Sequence, residues 1–90
     1  MARLVEVSDA KWTKTRVQCY ANNRGEEEPQ SFEVGPQQFG VLEIVTRWES
    51  PTHRHFKVKV QGAKFFVLRR DNSGESWEMT PLNQIGRAHV

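Results

Sequence analysis

The feature that most constrains this chain is the alternation of polar and apolar residues in HRHFKVKV, residues 53–60. Successive side chains of a β-strand point to opposite faces, so this alternation predicts a strand with one buried face and one solvated face. The same period of two recurs in residues 13–21, 41–50, 64–71 and 75–80. Only residues 1–12 could hold a short helix, and they fit a strand equally well. The sequence therefore predicts an all-β protein.

Residues typical of turns separate these segments at intervals of 8–12 residues, as in GPQQFG, SPT, GA and DNSG. This spacing predicts a small antiparallel meander or partly open barrel of about five or six strands. Residues 1–82 are expected to form a single small β domain, and residues 83–90 a flexible tail. Residues 22–30 are expected to be a loop, with Glu26, Glu27 and Glu28 simply solvated.

The segment GVLEIVTRWES carries apolar residues on both of its faces, which predicts a central strand or one that curls around a barrel. Strict alternation would place Ile44 and Trp48 on one side of it. Trp48 and Trp77 are expected to close the core, with Arg47 or Arg54 covering a ring by a cation–π contact. An exposed Trp48 would instead indicate a binding patch.

The bulk properties favour a soluble cytoplasmic protein. The single cysteine, Cys19, allows no intrachain disulfide, which fits a reducing compartment. The first residues lack the apolar run of a signal peptide, and no segment approaches the roughly 20 apolar residues of a membrane helix.

Catalytic and metal-binding patterns are weak. The sequence has no GxSxG and no glycine-rich phosphate loop, and Cys19 is expected to pack inward as a small apolar side chain. His53 and His55 could share an ion from one strand face, but no third ligand is visible nearby. We therefore predict no enzyme activity, no metal, no cofactor and no small-molecule substrate.

The charge distribution offers a candidate surface. Residues 1–46 carry five basic and seven acidic side chains, whereas residues 47–90 carry eight basic and four acidic ones. The candidate nucleic-acid-binding residues are His53, His55, Lys57, Lys59, Arg69 and Lys14. Tyr20, Phe65 and Trp48 could stack on bases between the cations. The same lysines could equally protect a strand from edge-to-edge aggregation.

Two functions follow from these alternatives. The first is a non-enzymatic interaction module that binds a protein partner, or a second copy of itself, through an exposed strand edge or apolar patch. The second is a weak nucleic-acid-binding module. A nucleic-acid surface requires a contiguous positive face without neutralising carboxylates, whereas a partner surface requires an unpaired edge or exposed apolar residues.

A set of short motifs resembles a family of small bacterial proteins without an assigned function. The matching positions lie between about residues 16 and 80, and they are Cys19, Tyr20, Arg24, Glu27, Pro29, Phe32, Arg47, Trp48, Phe56, Val58, Leu68, Arg69, Asp71, Trp77 and Glu78. The family pattern usually has Ala-Gly-Tyr-Arg after Cys-Tyr, where this chain has ANNR. A looser similarity is to small β domains attached to bacterial DNA-repair polymerases. The resemblance implies no reaction, cofactor or partner, although the looser one points towards nucleic acid.

Overall fold

A computed structural model describes residues 11–74 and 76–82, and every regular element in this part of the chain is a β-strand. The strands are β1 (Thr13–Thr15), β2 (Val17–Ala21), β3 (Glu27–Val34), β4 (Gln37–Gly40), β5 (Glu43–Glu49), β6 (His53–Val60), β7 (Lys64–Asp71) and β8 (Trp77–Leu82). The all-β prediction is confirmed. The expected alternatives for residues 1–12, and the expected tail at 83–90, fall largely or wholly outside the described residues.

All strand pairs are antiparallel, and they form two sheets. One sheet has five strands in the order β1-β8-β7-β6-β5, and the other has three in the order β2-β3-β4. The predicted meander is confirmed, since most neighbours in the sheets are also neighbours in the chain. Over the described residues the two sheets do not join into a closed barrel.

Eight strands replace the predicted five or six because two stretches of chain pass from one sheet to the other. At the first corner, the Arg16 carbonyl accepts a hydrogen bond from the Glu33 amide at 3.2 Å. At the second corner, the Val41 amide donates a hydrogen bond to the Gln30 carbonyl in the small sheet. The next amide, that of Leu42, donates to the Lys59 carbonyl in the large sheet. Strands that change sheets in this way make the corners of a bent sandwich.

The core lies between the two sheets. Phe56, Val58 and Val60 of β6 point into it as the alternation predicts, and Phe32 faces them from the small sheet. The other buried members are Phe66, Leu68, Trp77 and Met79. Three phenylalanines form the centre, with the Phe32 ring meeting Phe66 edge-on at 5.1 Å and Phe39 at 6.0 Å. Because a short chain buries a limited share of its surface, a few large aromatic side chains supply much of the apolar area in its core.

The expected loop at residues 22–30 is wrong in its second half, because β3 begins at Glu27. The pairing of β2 with β3 shifts register between Gln18 and Cys19, and Pro29 lies beside this irregularity. Proline cannot donate to a sheet ladder, so it is tolerated at such a bulge. The carboxylates of this segment therefore belong to a strand that faces the large sheet.

Candidate functional site

The six predicted site residues come together on the outer face of the five-stranded sheet, opposite the core. His53, His55, Lys57 and Lys59 alternate with the core residues of β6. Arg69 pairs in register with His55, and both Arg69 and Lys14 pair in register with Glu78. Because directly opposed residues in an antiparallel pair share a face, these side chains form one surface.

Carboxylates neutralise much of this surface. Arg69 forms an ion pair with Glu78, at 2.6 Å from Nη2 and 2.7 Å from Nε to Oε1, and both side chains are largely buried. Lys14 lies opposite the same carboxylate. The outer face therefore lacks the uniform positive charge that a phosphate backbone would favour.

Two of the four basic residues that β6 places on this face also lie in register with a carboxylate, without forming an ion pair in the described part of the chain. His53 lies opposite Asp71, and Lys59 lies opposite Glu43. Lys57 is placed over the Phe65 ring, 5.4 Å from its centroid, and has Thr46 and Val67 as its register partners. Val67 is only 1% exposed although it lies outside the main core cluster, so the centre of the outer face is not an open surface.

Trp48 lies on this outer face, so its expected place in the core is wrong. The pairing of β5 with β6 shifts register between Ile44 and Thr46, which makes Val45 the extra residue of a bulge. Ile44 therefore faces the core opposite Val58, whereas Trp48 lies opposite His55 on the other side of the sheet. A single inserted residue reverses the faces of everything after it.

Trp77 does reach the core, but its cation–π partner is Arg70, at 5.9 Å, instead of Arg47 or Arg54. Arg54 covers the Phe56 ring at 5.6 Å. Arg47 points to the small sheet.

An aromatic cluster surrounds His55. The Trp48 ring stacks on the His55 ring at 4.9 Å with an interplanar angle of 4°, and Trp12 meets His55 edge-on at 6.3 Å. The Arg69 guanidinium lies 4.0 Å from the Trp12 centroid, and the His53 ring lies 6.0 Å from His55. The alternation around His55 was visible in the sequence, and Trp48 was a stacking candidate there, but the contribution of Trp12 was not predicted.

His55 is 7% exposed, and its Nδ1 has no hydrogen-bond partner among the described residues. Burial lowers the pKa of His55 below its ordinary value, and the neighbouring His53 and Arg69 lower it further. A backbone group of Trp48 acts in the opposite direction without reversing the shift. The neutral imidazole of His55 is therefore the favoured form in the folded protein at neutral pH.

The edge of the five-stranded sheet offers a different surface. Among the described residues β5 pairs only with β6, so its outer edge has no strand beside it. Leu42, at the start of this edge, is 65% exposed, and the bulged Val45 is 41% exposed. The expected central position of this segment is therefore wrong, and its apolar residues reflect a corner and an exposed edge.

An ion pair between a buried carboxylate and a partly exposed arginine joins β5 to the small sheet. Glu28 has a side chain only 7% exposed, and its Oε2 accepts hydrogen bonds from Arg47 Nε at 3.0 Å and Nη2 at 2.6 Å. The Tyr20 hydroxyl bonds Oε1 of the same carboxylate at 3.2 Å. The nearby Glu27 bonds Arg70 at 3.2 Å. Tyr20 thus belongs to this contact and not to the outer face where base stacking was predicted.

A groove of about 670 Å³ lies between the sheets, and its lining includes Cys19, Glu27, Arg70 and Trp77. Burial raises the pKa of the Cys19 thiol, and the charge of Glu27 raises it further, while Arg70 opposes them. A thiol with a raised pKa is a poor nucleophile. Neither His53 nor His55 lines this groove, so no thiol–imidazole pair is formed there.

Within residues 11–74 and 76–82, no three histidine, cysteine or carboxylate side chains are grouped as metal ligands. The same residues contain no helix long and apolar enough to cross a membrane. Comparison of the chain with protein-family models, curated proteins and solved structures gave no match. The resemblance to a family of small bacterial proteins stays a prediction.

Proposed function

We propose that this protein is a non-enzymatic interaction module that binds an extended segment of a partner protein along the outer edge of β5. The observation that supports this most is the combination of an unpaired strand edge with two exposed apolar side chains, Leu42 and Val45, in the described part of the chain. An exposed edge presents main-chain donors and acceptors to an incoming strand, and neighbouring apolar residues add affinity.

The bulge determines how a partner would fit. Bulges bend an edge strand and limit regular pairing across them. A partner strand therefore pairs with the regular half of β5, Thr46–Glu49, and covers Val45 and Leu42 with its own apolar side chains. Glu43, Glu49 and Arg47 along the strand restrict which partners are accepted, since like charges placed opposite each other are unfavourable.

A photo-crosslinking amino acid at Val45 tests this proposal in the cells that express the protein. The expected result is a discrete covalent adduct from position 45 that is absent when the crosslinker replaces the exposed turn residue Asn72. Leu42→Lys should abolish the adduct, because a lysine on an exposed edge opposes strand addition. Sedimentation of the purified protein separates self-association from binding of another protein. Equal adducts at both positions, unaffected by Leu42→Lys, would contradict the proposal.

A weak nucleic-acid-binding function is the second candidate. It is supported by the presence of Lys57, Lys59, Phe65 and Trp48 on one face, which combines cations with half-buried aromatic rings. The carboxylates that oppose most of the basic residues count against it. Titration with a short single-stranded DNA distinguishes the two functions, because phosphate binding weakens steeply with salt and strand addition to β5 does not.

A further inference from the structure

On the outer face of the five-stranded sheet, the aromatic contact between β5 and β6 is made by one buried imidazole, that of His55. Trp48 and Thr46 are the outward-facing side chains in the regular half of β5, and the Trp48 ring lies flat on His55. β5 has a strand neighbour on one side only within the described residues, so this stack adds to the β6 ladder and the Arg47–Glu28 ion pair in fixing that half of the strand. Any change that displaces the His55 ring therefore also affects Trp48.

The surroundings of His55 do not accommodate a second ring proton. Nδ1 is buried and has no acceptor among the described residues, so the neutral ring carries its proton on Nε2 and leaves Nδ1 as a bare acceptor. Protonation would turn Nδ1 into a buried charged donor without a partner, which is strongly unfavourable. The protonated ring satisfies Nδ1 only by moving towards water, and it then leaves the stack.

The charged groups around His55 do not offset this cost. Its in-register neighbour Arg69 is a cation, and the carboxylate that reaches Arg69, Glu78, is already in that ion pair. The groups facing His55 from the elements packed against it are His53 and Lys57 on β6, Arg69 and Asp71 on β7, Glu78 on β8 and Lys14 on β1, whereas Glu49 on β5 lies opposite Arg54 on the other face of the sheet. Asp71 lies opposite His53, and Glu49 pairs with Arg54 at 3.9 Å, which leaves no carboxylate in a pair with His55 in this part of the chain.

We propose that protonation of His55 releases the Thr46–Glu49 half of β5 from the sheet, so that acidification controls the availability of this edge. The regulation of partner binding by this release rests on the proposed function, whereas the release itself is a property of the protein without a partner. The release and the proposed partner binding can therefore fail independently.

Hydrogen exchange of the uniformly labelled full-length protein, followed between about pH 8 and pH 5, tests the release. After correction for intrinsic exchange rates, the opening equilibrium of the Thr46–Glu49 amides should rise by up to about tenfold per pH unit below the ordinary histidine pKa. Amides of Val67 and Leu68, in the central strand β7, serve as internal controls and should change little.

Two variants separate His55 from the other titrating groups. His55→Phe keeps an aromatic ring against Trp48 but cannot bind a proton, so the pH dependence of β5 opening should disappear. His53→Gln should keep it, because this half-buried neighbour bonds Thr52 and is not in the stack. Retention of the full pH dependence in His55→Phe would overturn the proposal.

A direct measurement covers the case in which His55→Phe does not fold. Ring proton and carbon shifts of His55 in the unmodified protein report its protonation. Titration below the ordinary range, with Trp48 resonances changing over the same pH interval, supports the release. Titration of His55 at or above the ordinary histidine pKa, or with Trp48 unaffected, would refute it.

Discussion

Replacing Arg47 by methionine should destabilise the protein through a carboxylate that lies in a different sheet. Methionine retains much of the aliphatic length of arginine but leaves the buried Glu28 without its cation. Hydrogen bonds to charged groups contribute about 1.5–3 kcal/mol, and breaking a fully buried pair costs roughly 3–5 kcal/mol. Since the Arg47 side chain is 46% exposed, solvent screens its side of the pair. We therefore expect a loss of about 2 kcal/mol at neutral pH.

Urea unfolding monitored by tryptophan fluorescence measures this loss. With a urea dependence of about 1–2 kcal/mol/M for a domain of this size, the midpoint should fall by roughly 1–2 M. The matched control is Arg54→Met, on the neighbouring strand, whose partner Glu49 is 3.9 Å away and largely exposed. An exposed pair of this kind contributes at most about 1 kcal/mol.

The pH dependence gives the sign of the effect. Burial acts to raise the pKa of Glu28, but the hydrogen bond and charge of Arg47, with bonds from Tyr20 and Asn22, leave it below the ordinary value. A lowered pKa contributes stability that is present above the unfolded-state pKa and is lost as the pH falls through the folded-state pKa. The difference between Arg47→Met and the unmodified protein should thus shrink as the pH is lowered from 7 towards 3.5. A difference no larger than that of Arg54→Met, or one independent of pH, would refute the reasoning.

Three further predictions concern the core, a turn and the outer face. Phe32→Ala should cost about 3–5 kcal/mol in unfolding free energy, because Phe32 is fully buried between the sheets; a loss below about 1 kcal/mol would contradict the assigned core. Gly62 and Ala63 both have positive φ, 87° and 58°, in the turn between β6 and β7. Ala63→Gly should therefore leave the free energy of unfolding unchanged or raise it by up to about 1 kcal/mol, whereas Gly62→Ala should lower it. Thermal melts of both, with Gly40→Ala as the control without positive φ, check the signs. In a single-stranded DNA titration at low salt, Lys57→Gln should weaken any binding at the outer face; binding unaffected by this change would place the nucleic acid elsewhere.

The parts of the fold that could be read from the sequence are those in which alternation runs without interruption. β6 and β7 follow the predicted faces along their whole lengths, so the placement of Phe56 and His55 on opposite sides was correct. The predicted assignment of β5 side chains to the two faces was wrong after Val45, because a bulge leaves no reliable mark in the polar and apolar pattern.

The ion pair between Glu28 and Arg47 could not be predicted for a different reason. The two residues are 19 positions apart and lie in different sheets, so their meeting depends on the corner at Val41 and Leu42. Glu26, Glu27 and Glu28 have the appearance of a solvated charge run, and only the three-dimensional arrangement separates the buried Glu28 from its exposed neighbour Glu27.

Two consecutive side chains hold β5 from opposite faces, and both contacts depend on protonation. Arg47 reaches Glu28 on the core side, and Trp48 stacks on His55 on the outer side. Acid weakens each of them: His55 gains a proton first, below the ordinary histidine range, and Glu28 loses its charge only below the ordinary glutamate range. Acidification should therefore loosen β5 in two separate steps, because its two side-chain contacts titrate in different pH ranges. The strand with the exposed edge is thus also a strand held by two contacts that depend on pH.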